Sequence, residues 1–146
     1  MRISCLSNSG ATLPENYVDA RSGYGPSAEF PITVGKEYVV YAIALWNNAQ
    51  VWYYVSDDDD LNYPFRYPAP LFEVADSSVS RYWRYAFTPE HLDHVALFAF
   101  EEWVRDAYFF DRLTDDSELE VSTFRKMKDL MDSEPSLSDD PDYDIR

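Results

Sequence analysis

Apolar residues at every position from 38 to 45 predict the first strand of a β-hairpin. At a period of two, the odd-numbered and even-numbered side chains of this segment form two apolar faces. A strand of this kind is predicted to be central and covered on both sides. Residues 46–50 include two asparagines, which tolerate positive φ and predict the turn. Residues 51–55 predict the returning strand.

Shorter apolar segments predict the remaining strands. Residues 2–6, 71–74 and 79–85 alternate in the manner of strands. Residues 94–100 fit either a strand or the start of a helix, and their length and phenylalanine content favour a strand. Residues 11–31 lack periodicity and contain prolines and glycines, which predicts a long loop held in place by its aromatic side chains.

Helical signals replace strand signals after residue 100. Residues 101–106 predict a short helix, and residues 115–117 supply N-capping side chains for a second helix that ends near Asp132. Val121, Phe124, Met127 and Met131 form the apolar stripe of that helix. Acidic residues, serines and two prolines dominate residues 134–146, which predicts a disordered tail.

The length of 146 residues predicts one domain. We place it at residues 1–133, with a barrel-like β part over 1–100 and two short helices over 101–133, followed by the tail at 134–146. Aromatic residues make up 17% of the chain, and large rings favour strands. The fold class is therefore predicted to be mainly β with C-terminal helices, an α+β domain. The single cysteine, Cys5, excludes an internal disulfide.

The formal net charge of −15 limits the partners of this chain. A field of that sign repels nucleic-acid phosphates and anionic lipids, so we expect no nucleic-acid and no membrane partner. It would steer a basic protein into encounter, although acidity also keeps an aromatic-rich protein in solution. The sequence shows no signal peptide and no apolar run of transmembrane length, so we expect a cytoplasmic protein.

The four aspartates at 57–60 are expected in an exposed loop, because carboxylates are rarely buried. A solvated loop, a contact for a basic partner and a divalent-cation site are the three interpretations. A metal is disfavoured because the run lacks the glycine and distal glutamate of a calcium loop. Three prolines between 64 and 70 argue against a central strand there, and the aromatic residues among them favour an interaction surface.

Catalytic chemistry has little support in the sequence. His91 and His94 have the spacing of zinc ligands on a helix but follow a Thr-Pro turn, where polar residues are common. Glu101, Glu102, Asp106 and Asp111 offer carboxylate pairs of the glycosidase kind, which carry little weight in so acidic a chain. Phosphate-binding and nucleophile motifs are absent from the sequence. We predict a protein that is not an enzyme and needs no cofactor or metal.

Protein binding is the function that these patterns favour. Tyrosine and tryptophan are enriched at binding hot spots, and acidic side chains accelerate association with a basic partner. The predicted partner-binding residues form one set around the acidic run and a second set at the start of the helical part. They are Asp57, Asp58, Asp59, Asp60, Tyr63, Phe65, Arg66 and Tyr67, with Glu101, Glu102 and Asp106.

Several motifs resemble a group of small uncharacterised acidic bacterial proteins. They are Gly35-Lys-Glu-Tyr-Val-Val40, Val51-Trp-Tyr-Tyr-Val55, Tyr67-Pro-Ala-Pro-Leu-Phe-Glu-Val74, Ser80-Arg-Tyr-Trp83, Phe100-Glu-Glu-Trp-Val104 and Phe110-Asp-Arg-Leu113. The group looks like immunity proteins of polymorphic toxin systems. The resemblance implies an SH3-like antiparallel barrel followed by helices, and a cognate toxin, basic in charge, as the partner. An SH3-like module that binds a protein or a peptide, without a toxin partner, is the alternative.

Overall fold

The computed structural model describes residues 1–89 and 94–136, which form two antiparallel sheets followed by helices. The three-stranded sheet has the order β2-β1-β6, and the five-stranded sheet has the order β5-β4-β3-β8-β7. The strands are β1 (Arg2–Cys5), β2 (Glu37–Val39), β3 (Ala42–Leu45), β4 (Val51–Val55), β5 (Phe65–Pro68), β6 (Phe72–Asp76), β7 (Trp83–Phe87) and β8 (Ala96–Phe100). The helices are α1 (Glu101–Arg105), α2 (Phe109–Thr114) and α3 (Glu118–Asp132).

The expected α+β class is confirmed, with strands in the majority and helices at the C-terminal end. The strand ladders are open: β5 and β7 are the edges of one sheet, and β2 and β6 are the edges of the other. Across the described residues, the ladders therefore form two open sheets and not one closed barrel. Three α-helices follow the strands where two were expected, because residues 109–114 form a helix of their own.

The single long strand expected at residues 38–45 is wrong. The segment divides at Val40 and Tyr41 into β2 and β3, which belong to different sheets. Both residues at the break are buried, and the Tyr41 ring packs edge-on against Phe124 with centroids 5.5 Å apart. The Tyr41 hydroxyl donates a hydrogen bond to Asp132 at 2.6 Å. Both faces are apolar because the chain passes through the core between two sheets.

The predicted hairpin is confirmed as β3 and β4, with Ala42 opposite Tyr54 and Leu45 opposite Val51. Residues 94–100, left open between strand and helix, contain strand β8. The strand expected at 79–85 begins only at Trp83, since the preceding residues form a loop in which Ser80 donates a hydrogen bond to Glu134.

Residues 64–70, which include three prolines, contain a strand that the sequence did not predict. Phe65–Pro68 forms β5, which pairs with β4 at the edge of the larger sheet. Proline is tolerated in an edge strand because no second neighbour needs its missing N–H. The segment is thus part of the sheet rather than a loop between strands.

Most of the apolar stripe expected on the last helix is confirmed. Phe124, Met127 and Met131 of α3 are buried in the core, and Val121 is half-buried against it. The long loop at 11–31 is held by buried Tyr17, Tyr24 and Phe30, as expected. Of the predicted tail, residues 137–146 lie outside the described residues.

Candidate binding groove

A groove of about 770 Å³ lies between the five-stranded sheet and helices α1 and α2. Strands β4, β5, β7 and β8 contribute one side of it, and residues 103–114 contribute the other. Its lining includes aromatic, small apolar and charged residues: Tyr54, Phe65, Arg66, Ala86, Leu97, Trp103, Asp106, Tyr108 and Phe110.

The floor of the groove is apolar because the strand register places apolar residues on one face. Leu97 of β8 lies between Ala44 of β3 and Ala86 of β7. Ala44 in turn lies opposite Trp52, two residues before Tyr54. Residues two apart on a strand share a face, so Tyr54, Leu97 and Ala86 all face the helices. The small side chain of Ala86, which lines the groove, leaves space beside Leu97.

Aromatic rings form the opposite wall. Trp103 of α1 and Phe110 of α2 stack with centroids 5.2 Å apart and ring planes 8° apart. Tyr54 meets both rings edge-on, at 5.0 Å and 5.2 Å. Pairs of this geometry contribute about 0.5–1.5 kcal/mol each beyond their buried area. The cluster fixes the helices to the sheet and gives the groove a rigid wall.

An arginine and an exposed phenylalanine from β5 lie at one end of the groove. The Arg66 guanidinium is held over the rings of Trp46 and Trp52, at 5.0 Å and 5.6 Å from their centroids. Phe65 beside it is 41% exposed. A guanidinium held on aromatic faces keeps its charge and loses little further conformational freedom on binding. Arg66 therefore offers a fixed cation at this end of the groove. Phe65 borders the groove at the edge of β5, with its ring packed toward Tyr67 at 5.7 Å.

A carboxylate lies on the helical side. The backbone N–H of Tyr108 donates to Asp106 at 2.9 Å, and the Arg112 guanidinium pairs with its other oxygen. These two hydrogen bonds, the first above all, lower the pKa of Asp106. Arg112 also donates from Nε to Glu120 of α3 at 2.9 Å. Asp106 is therefore ionised at neutral pH and held in position.

The acidic run does not lie in a fully exposed loop, and the expectation for Asp57 is wrong. Asp57 is only 8% exposed. The Tyr67 hydroxyl donates to its Oδ2 at 2.6 Å, and the backbone N–H of Asp59 donates to its Oδ1 at 3.0 Å. Burial first, and then this hydrogen bond to Asp57, raise the pKa of Tyr67. A carboxylate can be buried here because hydrogen bonds satisfy both of its oxygens.

Asp58 connects the acidic run to β2 and to the segment that precedes it. Its carboxylate accepts hydrogen bonds from Thr33 at 2.6 Å, from Lys36 at 2.7 Å and from the Tyr38 hydroxyl at 2.8 Å. Partial burial raises the pKa of Asp58, but the three hydrogen bonds outweigh burial and hold the pKa below its ordinary value. Asp58, Asp59 and Asp60 are all exposed, so Asp57 is the one buried acid of the run.

The structure divides the predicted binding residues into groups. Phe65, Arg66 and Asp106, from the two separate predicted sets, line one groove. Asp57, Asp58 and Tyr67 are engaged in internal hydrogen bonds, and Tyr63 is half-buried. Glu101 and Glu102 are exposed on α1 and do not line the groove, and Glu101 forms an ion pair with Arg105.

The predicted set of partner-binding residues did not include the aromatic residues of the groove, namely Tyr54, Trp103, Tyr108 and Phe110. The signal that was available is the clustering of Trp103, Tyr108, Phe109 and Phe110 within one short acidic stretch. Their common location follows from the packing of α1 and α2 on the sheet, which the local pattern does not encode.

In the described part of the chain, no group of three or more His, Cys, Asp or Glu side chains is placed to hold a metal ion. His94 Nδ1 lies 3.2 Å from the Thr88 hydroxyl, while His91 falls outside the described residues. None of the helices within residues 1–89 and 94–136 is long and apolar enough to cross a membrane.

Comparison with protein-family models, with curated proteins and with solved structures returns no match for this chain. The groove and its chemistry are thus the basis for the functional proposal.

Proposed function

We propose that this chain is an immunity-type protein that acts in the cytoplasm, where it binds a cognate toxin domain and occludes the toxin's active site. The groove supports the binding part of the proposal, because Phe65, Arg66 and Asp106 line it together with stacked aromatic rings. Rigid aromatic surface with a few fixed polar groups is the composition of binding hot spots. The immunity role itself rests on the motif resemblance.

The charge of the chain supports a basic partner. With a net charge of −15, long-range attraction would raise the rate at which a basic domain meets this surface. Asp59 and Asp60 are exposed beside strand β5 and would contribute to that attraction. The aromatic side chains of the groove would then set the lifetime of the complex, because desolvated contacts govern dissociation.

Co-expression with the product of the neighbouring gene tests this proposal. The expected result is co-purification of the two proteins and restored growth of cells that are inhibited by the neighbour alone. Phe65→Ala should weaken the complex by about 1–2 kcal/mol, since an exposed ring at a binding centre contributes energy of this size. Glu73→Gln, which removes one exposed acid on the other sheet, is the matched control and should bind as wild type. Failure of both co-purification and rescue would refute the immunity role.

An SH3-like peptide-binding module without a toxin partner is the second candidate, and the aromatic wall of the groove favours it. Grooves lined by aromatic rings recognise extended proline-rich peptides. The two candidates differ in their dependence on charge. Asp59→Asn combined with Asp60→Asn should slow binding of a basic toxin and leave binding of an uncharged proline-rich peptide unchanged.

Asp60 has φ of 49°, which asparagine adopts readily, so the double substitution preserves the backbone. Binding of a proline-rich peptide with a loss on Phe65→Ala, together with the absence of a protein partner, would favour the second candidate.

A further inference from the structure

The face of the five-stranded sheet opposite the groove is apolar and only partly covered. Strand register places its side chains in two rows, Tyr53–Ile43–Phe98–Tyr85 and Val51–Leu45–Ala96–Phe87. None of these eight positions carries a charge. Phe72 of the smaller sheet packs against Tyr53 with centroids 6.1 Å apart, so the β4 end of the face is covered.

The uncovered end of this face is strand β7. Tyr85 is 58% exposed and Phe87 is 65% exposed, although each lies in register with a buried or half-buried residue of β8. The Tyr85 ring contacts Phe98 of β8, with centroids 5.1 Å apart and ring planes tilted by 41°. Large apolar rings at this exposure, adjacent on one strand, are characteristic of an interaction site rather than of a free surface.

Strand β7 is also an edge of the sheet. It pairs with β8 on one side, and no other strand of the described chain pairs with it. Natural edge strands are usually protected by proline or by charged side chains pointing along the apolar face. Trp83, Tyr85 and Phe87 occupy that face in β7, and the strand contains no proline. Within the described residues the outer side of β7 pairs with no further strand, although the Trp83 N–H already donates to Ser80 and its carbonyl accepts from Arg84. Tyr85 and Phe87 therefore offer the backbone available for pairing.

Two arginines place positive charge at this edge, next to the Glu134 carboxylate, which accepts a hydrogen bond from the Arg81 backbone N–H at 3.1 Å. Arg81 and Arg84 are exposed, and neither guanidinium forms an ion pair with a carboxylate within residues 1–89 and 94–136. Arg84 donates only to backbone oxygens, of Trp83 at 3.0 Å and of Arg81 at 3.4 Å. The Arg81 guanidinium lies over the Tyr82 ring. In a chain of net charge −15, two such arginines at one edge select for an acidic ligand.

We propose that β7 is a docking edge for an extended segment of another protein in which apolar and acidic residues alternate. The segment would pair with the β7 backbone and place its apolar side chains beside Tyr85 and Phe87. Its acidic side chains would lie on the opposite face, near Arg84, because alternate residues of a strand point to opposite faces. A second copy of this chain fits less well, since antiparallel pairing of two β7 strands would bring like-charged arginines together and join two molecules of charge −15.

A synthetic peptide of about ten residues that alternates valine and glutamate is a direct probe, because that length covers a strand of ordinary size. Its affinity for the full chain is measured by fluorescence anisotropy beside a valine–lysine peptide of the same pattern. The glutamate peptide should bind roughly tenfold more tightly at low salt, a difference of about 1.4 kcal/mol. Methylation of alternate peptide nitrogens, on the set that faces β7, should abolish binding.

Variants of the chain locate the site. Arg84→Glu should reverse the preference between the two peptides, and Phe87→Ser should weaken both. Arg21→Glu, a charge reversal at an exposed position of the N-terminal loop, is the matched control and should change neither preference. Unchanged thermal melts of these variants show that the fold is intact. Equal binding of both peptides, or binding unaffected by Phe87→Ser, would overturn the proposal.

Other occupants of the edge give different results. If sedimentation shows a dimer of the full chain that Phe87→Ser dissociates, a second copy occupies β7 and the proposal is wrong. The chain's own residues 137–146 include Asp-Tyr-Asp-Ile, an alternation of the required kind. If a chain ending at Ser136 binds the glutamate peptide and the full chain does not, that segment is the occupant and the assignment to another protein is wrong. The two proposals are tested separately, because Phe65 lines the groove whereas Phe87 does not and lies on the opposite face of the sheet.

Discussion

A single buried carboxylate changes the interpretation of the acidic run. Asp57 is 8% exposed, and its oxygens accept hydrogen bonds from the Tyr67 hydroxyl and the Asp59 backbone. Tyr67 itself is among the most deeply buried side chains. The pair therefore anchors β5 to the loop that precedes it, and its role is stability rather than partner contact.

We expect Tyr67→Phe to lower the free energy of unfolding by about 1–3 kcal/mol, because it leaves a buried carboxylate oxygen without its donor. Asp59 carries an exposed carboxylate two residues after the buried Asp57. Asp59→Asn is therefore the control and should change the free energy of unfolding by less than about 0.5 kcal/mol. Urea denaturation of both variants measures the difference. Equal stability of Tyr67→Phe and wild type would show that the hydrogen bond contributes nothing.

Asp58 gives the fold a defined dependence on acid. Since its pKa in the folded protein is lowered, the stabilisation is complete above the unfolded pKa of about 3.9 and is lost as pH falls through the lower folded value. The difference in unfolding free energy between wild type and Asp58→Asn should therefore be constant near neutral pH and shrink below about pH 4. Denaturation at a series of pH values measures it. A difference that does not change in acid would contradict the assignment.

At the scale of elements, Arg112 joins the helices that form the groove wall. Its guanidinium contacts Asp106, after α1, and Glu120 in the first turn of α3. The Glu120 side chain is 7% exposed, so the ion pair places a carboxylate in a confined site. These hydrogen bonds raise the pKa of Arg112, led by the one to Glu120. The position of the groove wall is thus coupled to the packing of α3.

Arg112→Met should destabilise the chain, because it leaves the confined Glu120 carboxylate without a cation. Adding Glu120→Met should recover part of that loss, which a double-mutant cycle of thermal melts would detect as coupling. Arg105→Met, which removes an arginine from an exposed i,i+4 pair on α1, is the matched control and should have little effect. Additive effects of the Arg112 and Glu120 substitutions would exclude the coupling.

At the scale of the whole molecule, the charge of −15 and the aromatic groove should have separable effects on the proposed binding of a partner. The field acts over distance and is screened by salt, whereas the groove acts only on contact. Charge should therefore govern the association rate and aromatic contact the dissociation rate.

With a basic toxin partner, raising the ionic strength from 0.01 M to 0.5 M should lower the association rate by about tenfold or more, since the Debye length falls well below 10 Å. Phe65→Ala should instead raise the dissociation rate and leave the salt dependence of association unchanged. Stopped-flow fluorescence separates the two rates. An association rate insensitive to salt would contradict steering by the field.

Residue patterns alone determined the α+β class, the β3–β4 hairpin and the buried stripe of α3, because period-two and period-3.6 alternation are local properties of a chain. The sequence also determined the acidic field, which depends on composition. Sequence patterns predicted Phe65, Arg66 and Asp106 as binding residues in two separate sets, and the structure brings the three to one groove.

Only the tertiary structure decided which parts of the chain pack against the apolar and acidic residues of those patterns. The apolar run at 38–45 is divided between two sheets, and Asp57 is buried against Tyr67 because distant segments meet there. The groove exists because small residues of the sheet lie under α1 and α2, an arrangement of side chains far apart along the chain. Burial and pairing are non-local, and a pattern that specifies which side of a strand is apolar does not specify what covers it.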